Sequence, residues 1–235
     1  MIEPVKRLNI GDKIVNQIKD LFFAGELKVG DRLPPERELM DLLQVSRTSL
    51  REALKVLESM GLVERSQKGT FIASNFNNSY AESLVYQFYL SDAEWEDIFE
   101  ARWVIEKELT FLAASRATAE DLMTIMQTIV DMEEAIEEFN QVKYVDSNIM
   151  FHERIAAASR NVVMIDMYHS ISKLVLQVQE VLGTHKEVFL VRSVMQDSLV
   201  YHRQIMDALN SQDAQKASLL MEKHIQSVQV YFKKA

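Results

Sequence analysis

The stretch LPPERELMDLLQVSRTSLREALKVL, residues 33–57, decides how this chain is read. Pro34 and Pro35 open a first helix, where a missing backbone N–H costs nothing. Leu39, Leu42 and Leu43 recur at i, i+3 and i+4 and give that helix one apolar face. Gln44-Val45-Ser46 reads as a tight turn, with Ser46 at an N-cap position, its hydroxyl able to accept from N–H groups of the next turn. A second helix buries Leu50, Ala53, Leu54 and Leu57 and carries Arg47, Thr48, Arg51 and Lys55 on its other face. An apolar back with a cationic, hydroxyl-bearing front is what a recognition helix needs in the major groove of DNA.

The flanking sequence completes a small domain. Residues 10–23 read as a helix with a stripe of Ile14, Ile18, Leu21 and Phe22, ended by Gly25. Gly61 stops the recognition helix. Leu62-Val63-Glu64-Arg65 and Thr70-Phe71-Ile72-Ala73 then read as two short strands around Ser66-Gln67-Lys68-Gly69. Three helices and a hairpin make a winged helix-turn-helix, with Lys68 at the wing tip placed for a phosphate or minor-groove contact.

Beyond this point the punctuation changes. All three prolines (Pro4, Pro34, Pro35) and five of the six glycines precede residue 70, and only Gly183 follows. A stretch so poor in breakers reads as an all-α bundle of six or seven helices. The expected division is a DNA-binding domain over 1–75, a polar linker at 76–79 and an all-helical domain over 80–235. A short helix is expected over 80–89, with long helices near 92–115, 118–139, 142–159, 162–182, 187–211 and 214–233. Ile98, Val104 or Ile105, Leu109 and Leu112 should face inward on the first long helix, Thr118 and Asp121 should form a capping box, and Met123, Met126, Met132 and Met150 should fill the core.

Charge follows the same division. The net charge is −9, but residues 1–75 hold 12 Lys+Arg against 11 Asp+Glu, a net of +1, while the remainder holds 14 against 24, a net of −10. The acidity belongs to the helical part and leaves the reader slightly basic. With no cysteine, thiolate metal sites, disulfides and a Cys nucleophile are excluded. No signal peptide or membrane span is legible, so a cytoplasmic protein without membrane contact is expected.

His152, His202 and His224 lie mid-helix on three different predicted helices, and Asn148 shares a helix face with His152. Brought together in a bundle, three imidazoles and an oxygen ligand suit Zn²⁺ or another borderline divalent ion such as Ni²⁺ or Mn²⁺. Against this stands the plainer reading of histidines that serve structure alone.

The motifs Leu33-Pro-Pro-Glu-Arg-Glu-Leu, Val45-Ser-Arg-Thr-Ser-Leu-Arg-Glu-Ala-Leu, Leu57-Glu-Ser-Met-Gly-Leu-Val and Lys68-Gly-Thr-Phe-Ile resemble the GntR family of bacterial transcription regulators. Val29-Gly30 departs from the family's usual Pro-Gly. The resemblance implies DNA contact by Arg37, by Ser46, Arg47, Thr48 and Arg51 at the recognition helix, and by Lys68 and Gly69 of the wing. Asn148-Ile-Met-Phe-His152, Tyr201-His202-Arg-Gln-Ile-Met-Asp and Met221-Glu-Lys-His224-Ile resemble the ligand-binding domain of the FadR subfamily, many members of which bind a divalent metal through an Asp and three His. Asn148 stands at the Asp position here, while the three His are kept; His169 and His185 match no motif. Phe99-Glu-Ala-Arg102-Trp-Val-Ile-Glu106 resembles that domain's first long helix and implies an effector-facing Arg102; Asn161 is a second candidate contact. The alternative for Arg102 is a surface salt bridge to Glu106 at i+4.

The resemblance therefore implies a homodimeric DNA-binding regulator, more often a repressor, that reads a palindromic operator and responds to a small carboxylate held near a metal. The competing readings are a metal-dependent hydrolase and a regulator with a purely structural metal. The segment His152-Glu-Arg-Ile-Ala156 lacks the second His of the HExxH arrangement, which disfavours the hydrolase.

Overall fold

A computed structural model describes residues 10–73, 86, 88, 90–91, 94–182 and 192–232. The chain divides into two compact units, Met1–Ser83 and Leu84–Ala235.

The first unit contains α1 (Ile10–Phe23), α2 (Glu36–Leu43), α3 (Arg47–Ser59), β1 (Val63–Ser66) and β2 (Gly69–Ile72). Helices α1 and α2 both pack on α3. Their shared core holds Ile14, Val15, Ile18, Leu39, Leu50 and Leu54, closed by Val63 and Ile72 of the hairpin. Ser46 caps α3: its Oγ accepts from the Ser49 N–H at 3.2 Å. Gln44 ends α2 in the left-handed region at φ 53°, which produces the sharp turn between the two helices. The hairpin is antiparallel, pairing Val63 with Ile72 and Ser66 with Gly69, so Gln67 and Lys68 form the wing tip. One expected core residue is outside: Leu42 is 66% exposed, while Leu39 is the residue of α2 that is buried in the shared core.

In the second unit, α4 (Trp95–Arg116), α5 (Ala119–Glu137), α6 (Gln141–Ala158), α7 (Val162–Leu182), α8 (Arg192–Asn210) and α9 (Ala214–Phe232) form a bundle. Helix α4 packs against α6, α7, α8 and α9, and α5 against α6 and α8. Among the described residues the molecule is therefore mainly α, with nine helices and one two-stranded sheet. Thr118 and Asp121 form the expected capping box at the start of α5.

Several expected core positions are exposed. Ile125, Ile129, Met132 and Ile136 make the buried stripe of α5, at i, i+4, i+7 and i+11. Met123 and Met126 lie off that stripe and Met150 also faces outward, so of the four methionines only Met132 fills the core; of the alternatives Val104 and Ile105, Ile105 packs inward and Val104 is exposed. The expected linker at 76–79, most of the short helix expected over 80–89, the start of the helix expected over 187–211 and His185 lie outside the described residues. No described helix is long and apolar enough to cross a membrane.

Candidate functional site

Three cations of the first unit, Arg47, Arg51 and Arg65, converge where α2, α3 and β1 meet. Arg47, Thr48 and Arg51 are exposed on α3, Arg37 is exposed in the first turn of α2, and Lys68 is exposed at the wing tip. These positions follow from helix phase: Leu50, Ala53, Leu54 and Leu57 turn inward, so 47, 48 and 51 turn out. Ser46 is committed to its cap, through Ser49 N–H and through a 3.0 Å contact with the Ser49 hydroxyl. Gly69 has φ +134°, and a Cβ there would stand 2.9 Å from Arg32 Nε, so the wing needs glycine at this turn.

Two residues at this junction were absent from the sequence expectation. Glu36, the first residue of α2, accepts from Arg51 Nε at 3.0 Å and from Arg65 Nη2 at 2.9 Å, and its Oε2 lies 3.9 Å from Arg47 Nε. Arg65 lies on β1 with Nη1 4.0 Å from Glu58 Oε2. Residue type gave no signal for this cluster, since 36, 51 and 65 meet only after the hairpin folds back on α2 and α3.

In the second unit the bundle brings His152 of α6, His202 of α8 and His224 of α9 into one buried cluster, with one ligand atom from each within 4.8 Å of the others. The His202 and His224 Nε2 atoms are 3.1 Å apart. An edge of a tetrahedral site with Zn–N arms of ~2.0–2.1 Å is about 3.4 Å, so these two nitrogens stand close to the separation a shared cation requires. The Phe151 ring lies 4.3 Å from the His202 ring and closes one side. His202 Nδ1 and His224 Nδ1 are buried and find no hydrogen-bond partner among the described residues. Burial holds His202 and His224 well below the ordinary imidazole pKa, with the neighbouring positive groups adding to it. Both rings are therefore neutral at neutral pH, the form that binds a metal.

Glu106 organises the fourth side. It is only 3% exposed. Its Oε1 accepts from Arg102 Nε at 2.6 Å and its Oε2 pairs with His152 Nδ1. Burial opposes the charged carboxylate, but Arg102 and then His152 outweigh it and hold Glu106 well below the usual carboxylate range. With Nδ1 turned to Glu106, His152 offers Nε2 to a cation, the carboxylate–histidine arrangement that orients metal ligands. The i+4 spacing of Arg102 and Glu106 was legible; the pair belongs to the interior, not to the surface. Asn148 is half-buried one turn before His152 on α6. Asn161 caps α7, its Oδ1 accepting from Met164 N–H at 3.3 Å. His169 is exposed.

Comparison with known proteins gives two family matches: bacterial regulatory proteins of the gntR family over residues 10–72, and the FCD domain over residues 97–227. HTH-type transcriptional regulator YcbG of Bacillus subtilis (strain 168), itself uncharacterised, is 30% identical over 97% of this chain and 91% of its own. The Uxu operon transcriptional regulator of Escherichia coli (strain K12) is 31% identical over 90% of this chain and 82% of its own. Among solved structures, Streptococcus agalactiae GntR superposes with a TM-score of 0.70 at 26% identity, covering 93% of this chain and 98% of that one.

Proposed function

This chain belongs to the GntR family of bacterial transcription regulators and carries an FCD domain, and on that footing we propose that it is a homodimeric repressor released from its operator by a small carboxylate. The observation that carries the effector half is the buried triad of imidazoles beside the Arg102–Glu106 pair. His152, His202 and His224 would hold a divalent ion, Zn²⁺ first, with the Asn148 side-chain oxygen as a weaker fourth donor. When bound, the ion supplies positive charge that a carboxylate satisfies. Arg102 reaches Glu106 through Nε, which leaves its terminal nitrogens to bind the same carboxylate. Asn161 has its Oδ1 committed to the α7 cap, so only its Nδ2 is left for an effector contact.

On the DNA side, Arg47, Thr48 and Arg51 read base edges, while Arg37, Lys68 and the Gly69 turn position the protein on phosphates. Two copies related by a two-fold axis read the two halves of a palindromic site. The carboxylate then shifts the population away from DNA-competent dimers.

Calorimetry of the Zn²⁺-loaded protein against a panel of small mono- and dicarboxylates tests this reading. Saturable binding without turnover is expected, lost in His202→Ala and weakened in Arg102→Ala. Binding of an acid by His202→Ala as tightly as by wild type contradicts it.

A further inference from the structure

A carboxylate in the middle of a DNA-facing surface repels phosphate, so Glu36 calls for a reason to be there. The favourable placement of an acid in the first turn of a helix is one, but it requires no contact beyond α2. Glu36 instead reaches two other elements. Its Oε2 holds Arg51 of α3 and its Oε1 holds Arg65 of β1, partners 15 and 29 residues away in sequence. Arg65 is braced from its other side by Glu58, 4.0 Å away. Recognition helix, first helix-turn-helix element and wing thus meet at one carboxyl group.

We propose that Glu36 is a positioning residue that sets sequence specificity by fixing Arg51, at the expense of general affinity for DNA. The proposal rests on the reading of α3 as the DNA reader. Glu36 engages Arg51 through Nε, so the outer N–H bonds of the two terminal nitrogens stay available as a fork that matches O6 and N7 of guanine. An exposed arginine otherwise loses its rotamer freedom on binding; one held beforehand loses less. Arg47, at 3.9 Å, is beyond hydrogen-bond range and is not held in this way. The negative charge of Glu36 meanwhile weakens attraction to any phosphate backbone, and so penalises every wrong sequence along with the right one.

The two effects separate by substitution. Glu36→Gln removes the charge and keeps the shape, while Glu36→Asp keeps the charge and shortens the reach. A duplex that wild-type protein selects from a randomised pool is compared with a mixed-sequence duplex of equal length by fluorescence anisotropy. Both variants should lose about tenfold in the ratio of the two affinities, near the value of one good base contact. Glu36→Gln alone should also bind the mixed-sequence duplex more tightly than wild type. An unchanged ratio in both variants overturns the proposal, as does a ratio that falls in Glu36→Gln but not in Glu36→Asp. If wild-type protein selects no sequence at all, the reading of α3 itself fails, and the proposal with it.

Discussion

Glu106 shows how one side chain changes meaning with its surroundings. On a solvated helix an Arg and a Glu at i+4 contribute a few tenths of a kcal/mol. Here the pair is buried and the same carboxylate also orients His152. Glu106→Ala strands the Arg102 guanidinium without a partner, and should cost about 3–5 kcal/mol in chemical denaturation. Glu106→Gln keeps the shape but gives up the charge that orients His152. Its Zn²⁺ affinity, by competition with a chromophoric chelator, should fall by roughly 10–100-fold. Wild-type affinity in Glu106→Gln would show that Glu106 has no part in the metal site.

At the scale of elements, the helical unit has almost no glycine, and its helices end by other means. Phe139, Arg160 and Gln212 take left-handed conformations at φ 56°, 56° and 53°, which L-residues adopt at a cost. Gln212 is exposed, so Gln212→Gly should raise stability by about 0.5–1 kcal/mol, the relief of strain outweighing the extra chain entropy. A lowered thermal midpoint would show that the Gln212 side chain does more than the backbone suggests. The capping box of α5 gives a pH-dependent counterpart. Burial tends to raise the Asp121 pKa, but the Thr118 N–H and hydroxyl and the Arg160 guanidinium bring it below its ordinary value. A lowered carboxyl pKa adds stability that is present above the unfolded value of 3.8 and lost as pH falls through the folded one. Asp121→Asn should therefore cost about 1 kcal/mol at neutral pH, and its unfolding curve should converge on wild type in strong acid. A deficit that persists in acid would assign the loss to packing.

Across the whole molecule, what the sequence makes legible is what neighbours in the chain decide. Pro34-Pro35, Ser46, and Thr118 with Asp121 mark helix starts, and apolar periodicity marks α1 and α3, because each signal lies within one or two turns. The three histidines could be nominated from their motifs, and the bundle brings them together. The clusters of Glu36 with Arg51 and Arg65, and of Glu106 with His152, depend on contacts across 15 to 46 residues, which no local pattern encodes. Exposure of Leu42, Val104, Met123, Met126 and Met150 depends on which helices each helix meets. If Zn²⁺ occupies the His site, linkage raises the stability of the second unit. A chelator should then lower the thermal midpoint of wild type but leave His202→Ala unchanged; equal responses would place the metal elsewhere.

The recognition helix remains the most exposed part of the reading to direct test. Anisotropy of the wild-type-selected duplex, titrated with wild type, Arg47→Ala and Arg51→Ala, measures it, with circular dichroism confirming that each variant keeps its helices. Each truncation should cost about 1–3 kcal/mol of binding to that duplex. Wild-type affinity in both variants would contradict the assignment of α3 as the DNA reader.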